Sequence, residues 1–586
     1  MKGMTARSFS PAFFSAIRLA GISMLGMAVS LIGPFLSPPF LGASLLGAPS
    51  LNAQALPSQD GNRNLPERVE RFRDLGFGMF IHWGVDTATG PTISHSLAGA
   101  SSQYVQRYFQ ELPQFFDPQQ FQPRQWARLA RLAGMRYVVF TTKHHSGFCM
   151  FDTRTTSLNV MNTPFGRDIT REVADAFRAE GIAVGFYFSP DDFHWLHQNG
   201  KPIDRNRDEV YPIHNPGLMA LDKAQVRELY SNYGPVDYFF IDGPEEGLRD
   251  LAWDLQPNTV VTRGAIATPE QNIPGAAPEG AWESCITMGN SWQYRPVNDN
   301  YKSAEQLIQM LVETRAKGGN LLLNVGPMPS GELPREQTDR LREIGLWMMV
   351  NRDAIHDVRP WQVTNENDIW FTRAKSANPS PEGDTVYAII PQTQPWKWGS
   401  WREFTLLSVR ATEHTQVTVL GQSDEVLEYR ADVTPKTTWQ QSEDGLRIRA
   451  MRAHRLYDNR QWPHPVVLRI THAQPGFLPP QVLPLRSSWD QPRGLAVLEA
   501  QLLRLTAGDS VEARFQYRRK QRVEELYDNP EPWMDTPPLP LKSDGRFQIA
   551  VTGLTPDAQY EYRVIVVHPK ITLTSAQRDI QPSAPR

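Results

Sequence analysis

Ionisable side chains gather at the ends of short apolar runs in the first two thirds of this chain. His82 and Trp83 close the run Phe77–Trp83, and Lys143, His144 and His145 close Tyr137–Lys143. Tyr187 lies near the end of Ala183–Ser189, with Asp191, Asp192 and His194 just beyond it. Asp242 closes Asp237–Asp242, Arg263 closes Thr259–Arg263, and Trp282 and Glu283 open Trp282–Thr287. Two carboxylates among imidazoles, a guanidinium and aromatic rings suit glycoside hydrolysis. Hydroxyls of a sugar take hydrogen bonds and its faces stack on rings. Cleavage then needs one carboxylate as nucleophile or base and a second carboxyl as proton donor. Zinc on His82, His144 and His145 is the main chemical alternative. Adjacent residues of a strand point to opposite faces, and no HExxH or paired His/Cys spacing occurs, so the expectation is no metal and no cofactor.

The elements that must position these groups are legible from periodicity. Runs such as YVVFTT, VGFYF, YFFI and LLLNV (the last within Asn320–Val325) are continuously apolar, as parallel strands covered on both faces are. Between the runs, Gln125–Ala133, Ile169–Arg178, Ala224–Asn232, Ala304–Lys317 and Glu336–Val350 repeat apolar residues at helical spacing. This alternation predicts an α/β fold, a (β/α)-barrel of seven or eight units over residues 56–357. An open doubly wound sheet is the rival, but no glycine-rich phosphate loop follows the first run. In a barrel the C-terminal strand ends share one mouth, which brings the ionisable residues together. Beyond Asp357 the helical period gives way to short strands. A β-sandwich is predicted at 358–472, a Pro-rich linker at 473–490, and a fibronectin type III-like β domain at 491–586, the last on the text GLTPDAQYEYRV.

The composition excludes some classes. Sixty basic against 63 acidic residues give no basic surface for nucleic acid. Two cysteines, Cys149 and Cys285, build neither a disulfide framework nor a four-ligand zinc site, and buried free thiols are expected. The first 55 residues carry only Lys2, Arg7 and Arg18 as charges, then a long apolar stretch, then Ala53-Gln54-Ala55. That is the pattern of a secretory signal peptide. Pro34, Pro38 and Pro39 break the roughly 20 apolar residues a membrane anchor needs. The expectation is cleavage after Ala55, a secreted or periplasmic protein, and no stable membrane insertion.

At these residues the sequence resembles glycoside hydrolase family 29, the retaining α-L-fucosidases. The segments that carry the likeness are FGMFIHWG (77–84), TTKHHSGF (141–148), VDYFFIDG (236–243), AWESCIT (281–287), YKSAEQL (301–307), KGGNLLLNVGP (317–327) and LREIGLW (341–347). The resemblance implies a covalent double-displacement mechanism on a terminal fucose of a glycan or polysaccharide. It makes Asp242 the nucleophile and Glu283 the acid/base, and it makes His82, Trp83, His144, His145, Tyr187 and Arg263 sugar-binding residues. Three departures stand out. Ser102-Gln103-Tyr104 takes the place of the family's Glu-Trp-Tyr, Phe240 stands where a Trp is usual, and Trp292-Gln293-Tyr294 replaces Trp-Gly-Tyr. A related α-L-glycosidase, such as an α-L-galactosidase, and a non-catalytic glycan-binding protein are the alternatives.

Overall fold

The computed structural model describes residues 61–580, apart from 206, 276, 298, 377–382, 394, 458–461, 486, 521–530, 557 and 576. The proposed signal segment, residues 1–55, lies outside the described residues. Among the described residues, no helix is long and apolar enough to cross a membrane.

Seven parallel strands form the first half: β1 (Phe77–Ile81), β2 (Tyr137–Lys143), β3 (Ala183–Phe188), β4 (Tyr238–Ile241), β5 (Val260–Val261), β6 (Glu283–Thr287) and β7 (Asn320–Val325). Their order is β5-β4-β3-β2-β1-β7-β6. Nearly every residue in them is buried, which is why the sequence shows unbroken apolar runs rather than alternation. The sheet curls into a barrel. The gap between β5 and β6 is occupied by an irregular stretch, residues 267–271, that runs parallel to β6 through bridges Ala267↔Trp282 and Glu270↔Cys285.

Amphipathic helices cover the outside. In Pro123–Leu132 a proline begins the helix and Trp126, Ala127 and Ala130 face inward. The Asp168 side chain caps Ile169–Ala179 by accepting from Arg171 N, and Ser303 with Gln306 forms a reciprocal capping box on Ala304–Ala316.

Register fixes depth in the barrel. Glu283 pairs with Asn320 and Thr287 with Asn324, so Glu283 opens its strand at the N-terminal floor. The mouth lies at the other end, where His82, His144, Asp242 and Arg263 follow their strands.

Two antiparallel units follow. In the first, a six-stranded sheet containing Val358–Glu366, Asp384–Ile390 and Val466–Pro475 faces a three-stranded sheet of Trp401–Leu406, Gly445–Met451 and Thr438–Ser442. Barrel and sandwich share one apolar core, and Trp347 Nε1 donates to Pro465 O at 2.9 Å across their junction. The second unit has its own core around Trp489, Leu498, Phe515 and Tyr562. The expected linker at 473–490 is largely structured. The preceding strand runs to Pro475, and Gln481–Pro484 and Ser488–Asp490 pair with Leu495–Leu503 as edge strands. Pro479 and Pro480 precede the strand Gln481–Pro484, and Pro484 is tolerated within it because an edge strand leaves one row of N–H groups unpaired.

Candidate active site

Asp242 directly follows β4, and its backbone N–H donates to Phe188 O at 3.0 Å. Four groups surround its carboxylate. Tyr187 Oη donates to Oδ2 at 2.7 Å and Arg263 Nη1 to Oδ1 at 3.0 Å. Arg205 Nη2 lies 3.5 Å from Oδ1, and His145 Nε2 lies 3.5 Å from Oδ2. Burial alone would raise the Asp242 pKa. The surrounding imidazole and guanidinium groups and the tyrosine hydroxyl outweigh it and hold the carboxyl far below its usual range. Burial also pushes His145 well below the usual imidazole range, so near neutral pH the two guanidiniums carry the positive charge. Asp242 is therefore a permanent carboxylate at the barrel mouth. Gly243 follows at φ 146°, where a side chain would crowd Pro190.

The cavity in front of Asp242 measures about 380 Å³ and opens to solvent. Phe80, Phe240 and Cys285 close its inner end, and Trp292 lies against His82 with ring centroids 4.9 Å apart. His82, His144, His145, Tyr187 and Arg263 all line it, as the sequence predicts. His144 and His145 both face the cavity, with ring centroids 4.2 Å apart, although strand alternation sends neighbours to opposite faces. The reason is that β2 ends at Lys143, after a register shift between Thr141 and Lys143, and both histidines belong to the following turn. With Asp242 they have donor atoms within 4.8 Å of one another, a spacing open to a metal ion. Asp242 is already engaged by two guanidiniums, however, and an ion there would face two fixed cations.

Three ionisable lining residues, His95, Arg205 and Glu270, escape the sequence reading, and Trp292 enters it only as part of a departure from the family's text. His95 comes from the loop after β1, its ring 5.3 Å from that of His145. Arg205 comes from the long loop after β3 and donates through Nε to Asp191 at 2.7 Å. Trp292 follows β6. Glu270, in the irregular 267–271 stretch, accepts from Arg263 Nη2 at 2.7 Å and keeps 42% of its side chain exposed. One guanidinium thus bridges Asp242 and Glu270 across the cavity.

Two expected site residues lie elsewhere. Trp83 points away from the cavity and packs against Phe116, Phe121 and Trp126, at centroid distances of 5.4, 5.5 and 5.4 Å. Its neighbour His82 faces inward, and alternation sends Trp83 to the helical layer. Glu283 is wholly buried at the barrel floor, where it accepts from Tyr137 Oη, and it does not line the cavity. Cys285, two residues up the strand, lies between it and the mouth, so Glu283 has no path to a leaving group. Desolvation raises its pKa to about 7. A carboxyl held protonated looks like a catalytic acid, but here the cause is burial in the floor. The departures read from the sequence also resolve. Ser102 begins an exposed helical turn away from the cavity, and Gln293 turns back to donate to Pro91 O. Cys149 and Cys285 are free and buried.

The floor position of Glu283 has a measurable consequence. Its folded pKa lies above the unfolded value of about 4.3, so its contribution is fully present below about pH 4 and is lost as pH rises through about 7. Glu283→Gln stays neutral. Its Tm will match the wild type at pH 4.5 and exceed it by several degrees at pH 8, with kcat/KM within tenfold of wild type. A scan of Tm against pH beside steady-state kinetics checks both.

An anionic carboxylate and a second carboxyl, bridged at the mouth of a (β/α)-barrel and ringed by imidazoles and aromatic faces, define a glycoside hydrolase. The sequence profile of the α-L-fucosidase family matches residues 52–353. The rat plasma α-L-fucosidase is 28% identical over 410 residues, 60% of this chain and 82% of the relative. An α-L-fucosidase of Branchiostoma floridae is 28% identical over 397 residues, 60% and 84% of the two chains. Among solved structures, α-L-fucosidase isoenzyme 1 of Paenibacillus thiaminolyticus superposes with a TM-score of 0.55 at 29% identity, covering 69% of this chain and 98% of that one. The Thermotoga maritima α-fucosidase in complex with fucose gives 0.54 at 25%, covering 70% and 97%. This chain belongs to the α-L-fucosidase family.

Proposed function

We propose that this protein is an exported, retaining exo-α-L-fucosidase that removes terminal fucose from glycans or polysaccharides. Family membership supports the fucosidase activity. The observation that carries the mechanism is the Arg263 bridge between Asp242 and Glu270. In the first step an Asp242 oxygen bonds to the anomeric carbon as the glycosidic C–O bond breaks, and the proton of Glu270 passes to the leaving oxygen. In the second, Glu270 takes a proton from water, whose oxygen displaces Asp242 from the same carbon. Retaining pairs stand about 5–5.5 Å apart, and a shared guanidinium keeps two carboxyls close. Glu270 replaces Glu283 in the acid/base role because it lines the cavity and remains accessible.

A closed inner end favours a terminal sugar over an internal one. The Phe80, Phe240 and Trp292 rings supply an apolar wall suited to the methyl group of fucose, and such a wall rejects the added hydroxyl of an α-L-galactoside only weakly.

Export rests on residues 1–55. For the terminal unit, a fibronectin type III-like assignment draws support from its sheets. Gln481–Pro484, Ser488–Asp490, Leu495–Leu503 and Gly545–Val551 form one face, and Val511–Arg519 and Tyr560–His568 anchor the other. Tyr560 Oη accepts from Thr555 N at 3.1 Å, as a tyrosine corner does.

The decisive experiment follows an aryl α-L-fucoside by proton NMR during early turnover. α-L-Fucose will appear first and then mutarotate. First release of β-L-fucose would overturn double displacement.

A further inference from the structure

We infer that Asn324 and Ser94 are positioning residues that hold His82 and His144 in opposite tautomers, so that one imidazole offers the sugar a hydrogen-bond acceptor and the other a donor. Both rings line the cavity, with centroids 5.7 Å apart. Burial lowers the pKa of His82 to about 4 and that of His144 well below its usual value. Near neutral pH each ring therefore carries one N–H, and its location sets the polarity of the side facing the sugar.

For His82 the partner is an amide whose orientation is fixed. Asn324 Nδ2 donates to Trp292 O at 2.5 Å, which turns its Oδ1 toward His82 Nδ1 at 2.7 Å. An amide oxygen only accepts, so the proton belongs on Nδ1 and Nε2 presents a lone pair. For His144 the partner is a hydroxyl. Ser94 Oγ lies 2.9 Å from His144 Nδ1 and already accepts from Ser146 N at 3.0 Å. Ser94 is completely buried, and among the described residues His144 Nδ1 is the acceptor in reach of its hydroxyl proton. An unmade bond there would leave a buried donor unsatisfied. Ser94 therefore donates, Nδ1 accepts, and the His144 proton belongs on Nε2.

The backbone supports the second assignment. Ser94 is a non-glycine residue at φ 54°, a conformation that persists only where the surroundings enforce it. Its N–H donates to Asp86 Oδ2 at 2.7 Å, and Tyr108 Oη donates to the same oxygen at 2.9 Å. The buried Asp86 thus holds the turn that presents the serine hydroxyl to His144. A sugar spanning the two rings must donate to His82 and accept from His144, which selects the orientation of its hydroxyl protons as well as their positions.

The ligand in this inference rests on the fucosidase reading, whereas the tautomers are measured without substrate. The experiment is long-range ¹H–¹⁵N correlation on the full chain labelled with ¹⁵N-histidine at pH 7, with signals assigned by their loss in His82→Gln and His144→Gln. The expected result is Nδ1–H for His82 and Nε2–H for His144. The same tautomer at both overturns the inference, whatever the wild-type activity. Asn324→Leu removes the acceptor. It will move the His82 proton to Nε2 and lower kcat/KM on the order of 10–100-fold. Asn324→Asp keeps an acceptor, preserves the Nδ1–H pattern and will recover part of that loss. A fall in activity in Asn324→Leu with an unchanged His82 tautomer assigns Asn324 to packing and overturns the positioning role.

Discussion

Replacing Asp242 by alanine will lower kcat/KM on an aryl α-L-fucoside on the order of 10⁴–10⁶-fold and leave the fold intact. The loss is large because the proposed mechanism has this carboxylate form the covalent bond of the first step, and among the described residues the other carboxylate lining the cavity is Glu270, the proposed proton donor. The fold survives because neither guanidinium is stranded. Arg263 retains Glu270 at 2.7 Å, and Arg205 retains Asp191 at 2.7 Å. The truncation leaves a hole beside two cations, which suits a small anion. Added azide will restore turnover and, entering from the nucleophile's side, will give β-L-fucosyl azide with inverted stereochemistry. Circular dichroism and product NMR read the two halves. Wild-type rates in Asp242→Ala would sink the nucleophile assignment.

Glu270→Ala is the second large effect, and its pattern differs. Proton donation contributes on the order of 10²–10⁴-fold when the leaving oxygen is basic, as in a natural glycan. A dinitrophenyl leaving group departs without that proton. Its first step will proceed at nearly the wild-type rate, and the covalent intermediate will accumulate because no base activates water. Azide needs no base. It will discharge the intermediate to α-L-fucosyl azide, the opposite anomer to that from Asp242→Ala. The same series on Glu283→Ala will give neither accumulation nor rescue. If Glu283→Ala gives the α-azide and Glu270→Ala does not, the two roles must be exchanged.

The contrast between buried Glu283 and cavity-lining Glu270 shows what is legible in the sequence and what is not. Strand positions are legible because a parallel strand is apolar on both faces, and all seven lie within a few residues of the expected runs. His82, His144, His145, Tyr187, Asp242 and Arg263 are legible because they close those runs, and strand closure in a barrel means the mouth. Glu283 opens its run, so the same rule sends it to the floor. The Trp282-Glu283 text that carries the family resemblance points the other way. Glu270 has no periodic signal, because its stretch joins the barrel by isolated bridges and reads as loop. His95 and Arg205 are likewise borne by loops, whose paths depend on side-chain anchors such as Asp86 and Asp191 rather than on hydrophobic period. Trp83 is the inverse case. Its place beside His82 invites an active-site role, and the two-residue period of β1 denies it. The edge strands Gln481–Pro484 and Ser488–Asp490 are hidden by proline content, which marks a linker and an edge strand alike.

The Arg263 bridge makes the two carboxyls alternate occupants of one counter-ion. In the proposed mechanism Asp242 enters the first step as the nucleophile and Glu270 as the proton donor. After it Asp242 is a neutral ester and Glu270 is anionic, having given that proton to the departing oxygen. The second step reverses both changes. Through the full cycle the guanidinium faces one negative charge, first on one side and then on the other. Esterification of Asp242 therefore leaves Arg263 unopposed at the moment when ionisation of Glu270 restores neutrality. Each half-reaction thus prepares the protonation state that the next one needs, with no ion recruited from solvent.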